Sequence, residues 1–336
     1  IGGSKDISAR LFLSQNGLMT EKQVPSFEKD KISEDVSSTF FDADGDGDQD
    51  LYVTSGGRAF SKSSSALMDR LYLNDGQGNF TNSPSALPFT SYFSNSTVSA
   101  GDYDNDGDMD LFIGERFDPF TYGESGRAFI FENDGSGQFT DATQKVAPEL
   151  MEIGMITSSN WVDIDKDGDL DLVIAGDWMP LQILENNNGQ LTRSETIKSL
   201  RGWWHTINVA DVDGDGDLDI LAGNHGENTF LKPGTRMYVN DFDKNGTKEQ
   251  IFCEKIGNKY YPLVDKDELI RQIPSLKKQL VYFEDYAEKS IDELFSKEVL
   301  DATKIYEVDE RRTGIFYNQG GNFVFKPLPK EAHYSP

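Results

Sequence analysis

Acidic side chains recur at every second position in several short loops, and that spacing suits the coordination of a hard cation. In Asp42-Ala-Asp-Gly-Asp-Gly-Asp-Gln-Asp50, carboxylates stand at Asp42, Asp44, Asp46, Asp48 and Asp50. Without a cation, such neighbours raise one another's pKa and destabilise the loop. Ca²⁺ takes about six to eight oxygens and accepts carboxylates and carbonyls alike. The expected division of labour is side-chain oxygens from Asp42, Asp44 and Asp46, a backbone carbonyl from Asp48, and closure by both oxygens of Asp50. Gly47 supplies the sharp turn around the ion.

The layout repeats. Asp102, Asp104, Asp106, Asp108 and Asp110 form a second loop; Asp163, Asp165, Asp167, Asp169 and Asp171 a third; Asp211, Asp213, Asp215, Asp217 and Asp219 a fourth. A fifth, degenerate copy runs Asp241, Asp243, Asn245, Thr247, Glu249 and is expected to bind more weakly. The EF-hand is excluded, because position 12 of each loop is apolar: Val53, Ile113, Ile174, Ala222 and Phe252. An EF-hand needs glutamate there and helices on both sides. Zinc is disfavoured because no Cys or His lies nearby, and Mg²⁺ because it keeps its waters.

The elements that position these loops read as short strands. Runs such as 38–41 and 51–54 flank the first loop. Interleaved Asn/Gly clusters mark hairpins: Asn74-Asp-Gly-Gln-Gly-Asn-Phe-Thr81 and Asn133-Asp-Gly-Ser-Gly-Gln-Phe-Thr140, with weaker copies at Asn187, Gln15 and Asn318. One unit is strand, acidic loop, strand, long connection, strand, hairpin, strand. Four strands in about 50–60 residues predict a propeller blade. The expectation is an all-β chain: one β-propeller region over 1–336, with four full units, a half unit at each end, and seven blades in a longer parent protein. Residues 264–300 break the pattern and predict a helical insertion: Asp265 or Asp267 caps a first helix that Pro274 ends, 275–283 forms a second, and Ser290-Ile-Asp-Glu293 opens a third.

Composition narrows the function. The net charge is −26, from 58 acidic and 32 basic residues. No basic stripe is present, so nucleic acid is not an expected partner, and no apolar run reaches a membrane span. Five divalent ions would add ten positive charges to −26, leaving −16. The single cysteine, Cys253, excludes an intrachain disulfide and reads as a buried small hydrophobe. Extracellular loops of this kind bind Ca²⁺ at roughly 10⁻⁴–10⁻³ M, which points to an extracellular, cell-surface or periplasmic location.

The acidic loops, set among Asn-Asp-Gly-x-Gly-x-Phe hairpins, resemble the FG-GAP/VCBS repeat family, which includes the calcium-bearing blades of integrin α-subunits. Gly202-Trp-Trp-His-Thr206, Gly223-Asn-His-Gly-Glu-Asn228 and Tyr238-Val-Asn-Asp-Phe-Asp-Lys-Asn-Gly246 look like bacterial surface proteins that join such repeats to an ASPIC/UnbV module, relatives of the cartilage acidic protein family. The resemblance implies a calcium-stabilised propeller for recognition or adhesion, a monomeric module of a larger chain with a protein or glycan ligand. It is expected not to be an enzyme: His205, His225 and His333 lack a nucleophile motif around them and read as structural. The alternative is a lectin-like or polysaccharide-lyase-type propeller, for which Arg201, Trp203, Trp204, His205 and His225 are the one nominated cluster, although Trp203 and Trp204 read better as packing between blades.

Overall fold

Strands in this chain are short because turn residues interrupt them at close intervals, and the structure shows how they assemble. A computed structural model describes residues 1–88 and 92–334. A hairpin, β1 (Leu11–Gln15) with β2 (Leu18–Lys22), and a short helix α1 (Pro25–Lys29) precede the first blade. That blade is β3 (Asp35–Phe41), β4 (Asp50–Ser55), β5 (Arg70–Asn74) and β6 (Phe80–Asn82), paired in sequence order and antiparallel.

The second blade is β7 (Asn95–Gly101) and β8 (Asp110–Glu115), then a two-strand excursion β9 (Phe117–Asp118) and β10 (Thr121–Ser125), then β11 (Ala128–Asn133) and β12 (Phe139–Asp141). After helix α2 (Thr143–Val146), the third is β13 (Met155–Val162), β14 (Asp171–Met179), β15 (Gln182–Asn186) and β16 (Leu191–Arg193), with β17 (Gly202–Trp203) added along the end of β14. The fourth starts with β18 (Thr206–Ala210) and β19 (Asp219–Gly223) and leaves its sheet for a long excursion. That excursion folds into β20 (Arg236–Asn240), β21 (Glu249–Ile256), β22 (Lys259–Pro262), helices α3 (Lys266–Gln272), α4 (Ile291–Leu294) and α5 (Lys297–Asp301), and β23 (Lys304–Glu307). The chain then returns through β24 (Gly314–Asn318) and β25 (Phe323–Pro327) to complete the fourth sheet, in the order β18-β19-β24-β25.

Two sequence expectations change here. The C-terminal Asn318 hairpin is not a half unit; it is the outer half of the fourth blade. The fifth acidic loop does not open a further blade either. It lies inside the excursion, between β20 and β21, in a sheet ordered β22-β21-β20-β23, where β23 covers the edge that the first strand of a blade leaves free. Sequence order concealed this, because β19 and its partner β24 are separated by about 90 residues of inserted chain. The helices fall within 264–301 as turns of an element wider than the predicted insertion. Asp265 caps α3 by accepting from the Glu268 N–H at 2.8 Å, and Ser290 opens α4 with its capping box. The stretch expected as a second helix forms only short 3₁₀ turns.

Every residue of β4, β8 and β14 is buried. Each is the second strand of a blade, packed on both faces by neighbouring sheets, so the alternation of a half-exposed strand is lost. Phe41, Tyr52, Leu111 and Phe131 fill the space between blades one and two. Phe112, Ile130, Leu172 and Ile174 fill the next, and Val173, Ile183, Trp204 and Phe316 the third. First strands β3, β7, β13 and β18 stand side by side and line the axis. Because strands alternate in direction, the acidic loops and the Asn/Gly hairpins share one face. Connections from second to third strands, including the excursion, share the opposite face.

Candidate metal centres and the opposite face

Each acidic loop follows a first strand and ends where the second begins, so the backbone dictates which carboxylates converge. In all five, three acids meet with oxygens within 4.8 Å of one another: Asp42/Asp44/Asp50, Asp102/Asp104/Asp110, Asp163/Asp165/Asp171, Asp211/Asp213/Asp219 and Asp241/Asp243/Glu249. These are positions 1, 3 and 9. Asp46, Asp106, Asp167 and Asp215 stand outside these close groups. The Oδ1 atoms of these four and of Asn245 accept from the backbone N–H of Asp48, Asp108, Asp169, Asp217 and Thr247 at 2.8–3.0 Å.

The turn itself is backbone-driven. The position-6 glycines Gly47, Gly107, Gly168, Gly216 and Gly246 have φ of 90–101°, a region that L side chains avoid. Position 1 is held from inside: Asp42 Oδ2 accepts from Gly47 N at 3.0 Å and Asp102 Oδ2 from Gly107 N at 3.0 Å. Two position-7 side chains, Asp169 and Asp217, bind the neighbouring blade. Asn105 Nδ2 donates to Asp169 at 2.8 Å, and Lys166 pairs with Asp217 at 2.7 Å.

The closing acid is the buried one: Asp50, Asp110, Asp171, Asp219 and Glu249 are 0–6% exposed. Its two oxygens are anchored separately. In the four blades Oδ2 accepts from the second loop residue, as in Ala43 N to Asp50 at 2.8 Å, and Oδ1 accepts from the asparagine that opens the Asn/Gly hairpin, whereas Glu249 of the fifth loop accepts from Phe242 N at 3.0 Å and from the Thr247 hydroxyl at 3.4 Å. The Asn74, Asn133, Asn186 and Asn318 N–H groups reach their acids at 2.8–2.9 Å. Two of these asparagines also cross to the preceding blade: Asn133 Nδ2 donates to Ala43 O at 2.9 Å and Asn186 Nδ2 to Tyr103 O at 2.6 Å. Their role is invisible in the hairpin pattern, which accounts for them as turn formers alone.

Burial pushes the Asp110 carboxyl up to about 7 and Asp171 up to about 6, with neighbouring acids adding. Burial likewise raises Asp50 and Glu249. Asp48, Asp104, Asp163 and Asp243, partly exposed as residues, each keep one buried carboxylate oxygen without a hydrogen-bond partner. All-oxygen, anionic and under-satisfied, these loops fit a hard divalent cation such as Ca²⁺.

The opposite face holds a different chemistry. Asp177, buried at the end of β14, accepts from Arg116 Nε at 2.8 Å and from Tyr122 OH at 3.0 Å; Trp178 Nε1 donates to that hydroxyl at 2.9 Å. His205 Nδ1 lies 3.9 Å from Asp177 Oδ1. The His205 and His225 rings are 5.8 Å apart, and both residues are exposed. Of the nominated cluster, Trp203 and Trp204 are 4% and 0% exposed, so neither offers a face to a sugar. Arg201 forms a two-pronged pair with Asp309 at 2.8 Å, tying the end of the excursion to the start of β17 on the third blade. Arg116, Tyr122 and Asp177 carry no sequence motif, and only the fold assembles them.

Among solved structures, the chain aligns with a fructofuranosidase from Schwanniomyces occidentalis complexed with fructosylnystose, at a TM-score of 0.35 and 10% identity, over 69% of this chain and 46% of that one. The expectation of a non-enzymatic chain is corrected by this finding, since the aligned protein is an enzyme, although a likeness so remote transfers no activity. The chain also spans less than half of that protein's length. No curated protein matches. No described helix is long and apolar enough to cross a membrane. The FG-GAP-like repeat family model matches residues 42–113, 118–174 and 163–222, which together cover more than half of the chain and contain the first four acidic loops. This chain is therefore a member of the FG-GAP-like repeat family, built as a β-propeller of four-stranded blades.

Proposed function

We propose that the chain is a calcium-stabilised recognition module that works outside the cytoplasm. The observation that carries this is the convergence of three acids in each of five loops, on a closing carboxylate that is buried. Asp42, Asp44 and Asp50, and their counterparts, would hold Ca²⁺. The ion supplies the positive charge that lets these carboxylates stay ionised and close. The chain's own residues transmit that order: the closing acid orients a hairpin asparagine, and in the second and third blades that asparagine, Asn133 or Asn186, holds the loop of the preceding blade. Calcium thereby stiffens one face and the seams between blades. Recognition of a protein or glycan ligand falls to the opposite face, whose connections vary from blade to blade.

An extracellular, surface or periplasmic location follows from affinity, since loops of this kind fill at roughly 10⁻⁴–10⁻³ M Ca²⁺. Thermal unfolding in EDTA, followed by readdition of Ca²⁺, tests the reading. The midpoint should fall in chelator and recover with Ca²⁺ but not with equimolar Mg²⁺; an unchanged midpoint would remove the basis for it.

A further inference from the structure

The four blades can be aligned on the first aspartate of their acidic loops, Asp42, Asp102, Asp163 and Asp211. Six residues before it stand Val36, Ser96, Thr157 and His205. In the first three blades this residue is a β-bulge, where pairing skips from Asp35 to Ser37, from Asn95 to Thr97 and from Ile156 to Ser158. Bulges re-aim side chains and cluster beside functional sites. All four residues line one cavity of about 280 Å³ on the face opposite the acidic loops. Fourteen residues after the same aspartate, the blades carry Gly56, Arg116, Asp177 and His225. Positions that repetition would keep alike have become an arginine, an aspartate and two histidines around the axis.

The local backbone bears the mark of a special task. Trp178, next to Asp177, has φ of 62°, a costly conformation for an aromatic residue that surrounding structure must impose. Its ring is wedged against Trp203 at 4.7 Å and against Phe252 of the excursion at 5.8 Å. Strain observed in this way is an argument for function. Asp177 itself is buried, and its Oδ1 has no hydrogen-bond partner.

We propose that this axial cavity binds a small carboxylate, with Arg116 as the anion-binding residue, Asp177 as its positioning partner and His205 at the rim. The reading deepens the recognition half of the proposed function and rests on it for the choice of face. Arg116 lines the cavity and spends one edge of its guanidinium on Asp177. Its remaining N–H donors present a planar fork, the shape that fits a carboxylate. The hydroxyls of Ser96 and Thr157 are committed as donors to backbone carbonyls, leaving Arg116 as the cation of the cavity. A single guanidinium, already paired with the Asp177 carboxylate in a chain of charge −26, suits a monoanion better than a phosphate dianion. A cation is disfavoured by Arg116, and the His205/His225/Asp177 set is not among the acid clusters tight enough to hold a metal. A cavity of 280 Å³ is at the small end of ligand sites, suited to one sugar ring or less.

The test is isothermal titration of the calcium-loaded protein with sodium glucuronate, glucose and inorganic phosphate. Saturable glucuronate binding with Kd below about 1 mM, at least tenfold tighter than glucose or phosphate, is expected. Arg116→Gln and His205→Gln should each weaken it at least fivefold while keeping the calcium-dependent melting of the parent. The rim variant guards against misfolding of the first. Absence of binding to 10-fold above that Kd, equal binding of glucose, tighter binding of phosphate, or full binding by a folded Arg116→Gln would overturn the proposal. Loss of glucuronate binding with an intact EDTA effect rejects this site alone. An absent EDTA effect rejects the calcium reading independently.

Discussion

Asp110→Asn separates a cation site from a hydrogen-bonding corner. Asp110 closes the second acidic loop, is 1% exposed, and accepts from Asn133 N at 2.8 Å and Tyr103 N at 3.3 Å. In chelator two effects oppose. The substitution relieves a buried carboxylate whose pKa has risen from 3.8 to about 7, worth about 4 kcal/mol above pH 8. That figure already contains the two hydrogen bonds to the carboxylate. Against it stands one buried N–H that the amide cannot satisfy, at about 1–3 kcal/mol, so in EDTA above pH 8 the variant should equal the parent or exceed it by up to about 3 kcal/mol. With Ca²⁺ near a hundredfold above Kd, each filled site adds about 2.7 kcal/mol by mass action. The variant forgoes that contribution, so its calcium-induced rise in Tm should fall short of the parent's by roughly 5 °C. Calorimetry of both proteins in EDTA and in 10 mM Ca²⁺ gives the four midpoints. An equal calcium-induced rise in the two proteins would refute the reasoning.

Acidification provides a second probe. With Asp110 at about 7 and Asp171 at about 6, against 3.8 when unfolded, the chelated native state binds more protons than the unfolded chain between about pH 4 and 7. Its stability therefore rises as pH falls through that window. Calcium needs the same groups ionised, so the gap in Tm between calcium-loaded and chelated protein should shrink from pH 8 to pH 5.5 in parallel melts. Asn186→Ala removes donors to Tyr103 O and Leu170 O and the acceptor for Gly189 N. It should cost about 3 kcal/mol in denaturant unfolding and weaken calcium binding, although asparagine 186 lies outside the acidic loop. Trp204→Ala empties a fully buried site against Phe316 and Phe325 and should cost about 3–5 kcal/mol by the same assay. Lys166→Ala breaks an exposed inter-blade ion pair with Asp217 and should change stability by less than about 1 kcal/mol, less still in high salt.

Much of the molecule was legible because its chemistry is local. Alternating acids closed by a position-6 glycine specify a loop that wraps a cation, since one turn of backbone contains the whole donor set. The Asn/Gly clusters specify hairpins for the same reason. Repetition of both within a fixed unit specifies four-stranded sheets, and thereby a propeller. Within the loops, the local reading could not choose which acids converge. Positions 1, 3 and 9 meet because β4, β8 and their equivalents begin at the closing acid and bury it.

Only the tertiary structure decided the rest. The pairing of β19 with β24 spans the whole excursion, and no local pattern encodes a partner so distant. That pairing turned a presumed terminal half unit into the fourth blade, and it moved the fifth acidic loop out of the ring. The hairpin asparagines gained their roles as seams through contacts about 85 residues away in sequence. Arg116 and Asp177 lie in no motif and far in the chain from His205 and His225, the two members that the sequence had nominated. They meet because four blades bring equivalent positions to one axis, where a repeated backbone lets single substitutions converge on a site that the sequence by itself never displays.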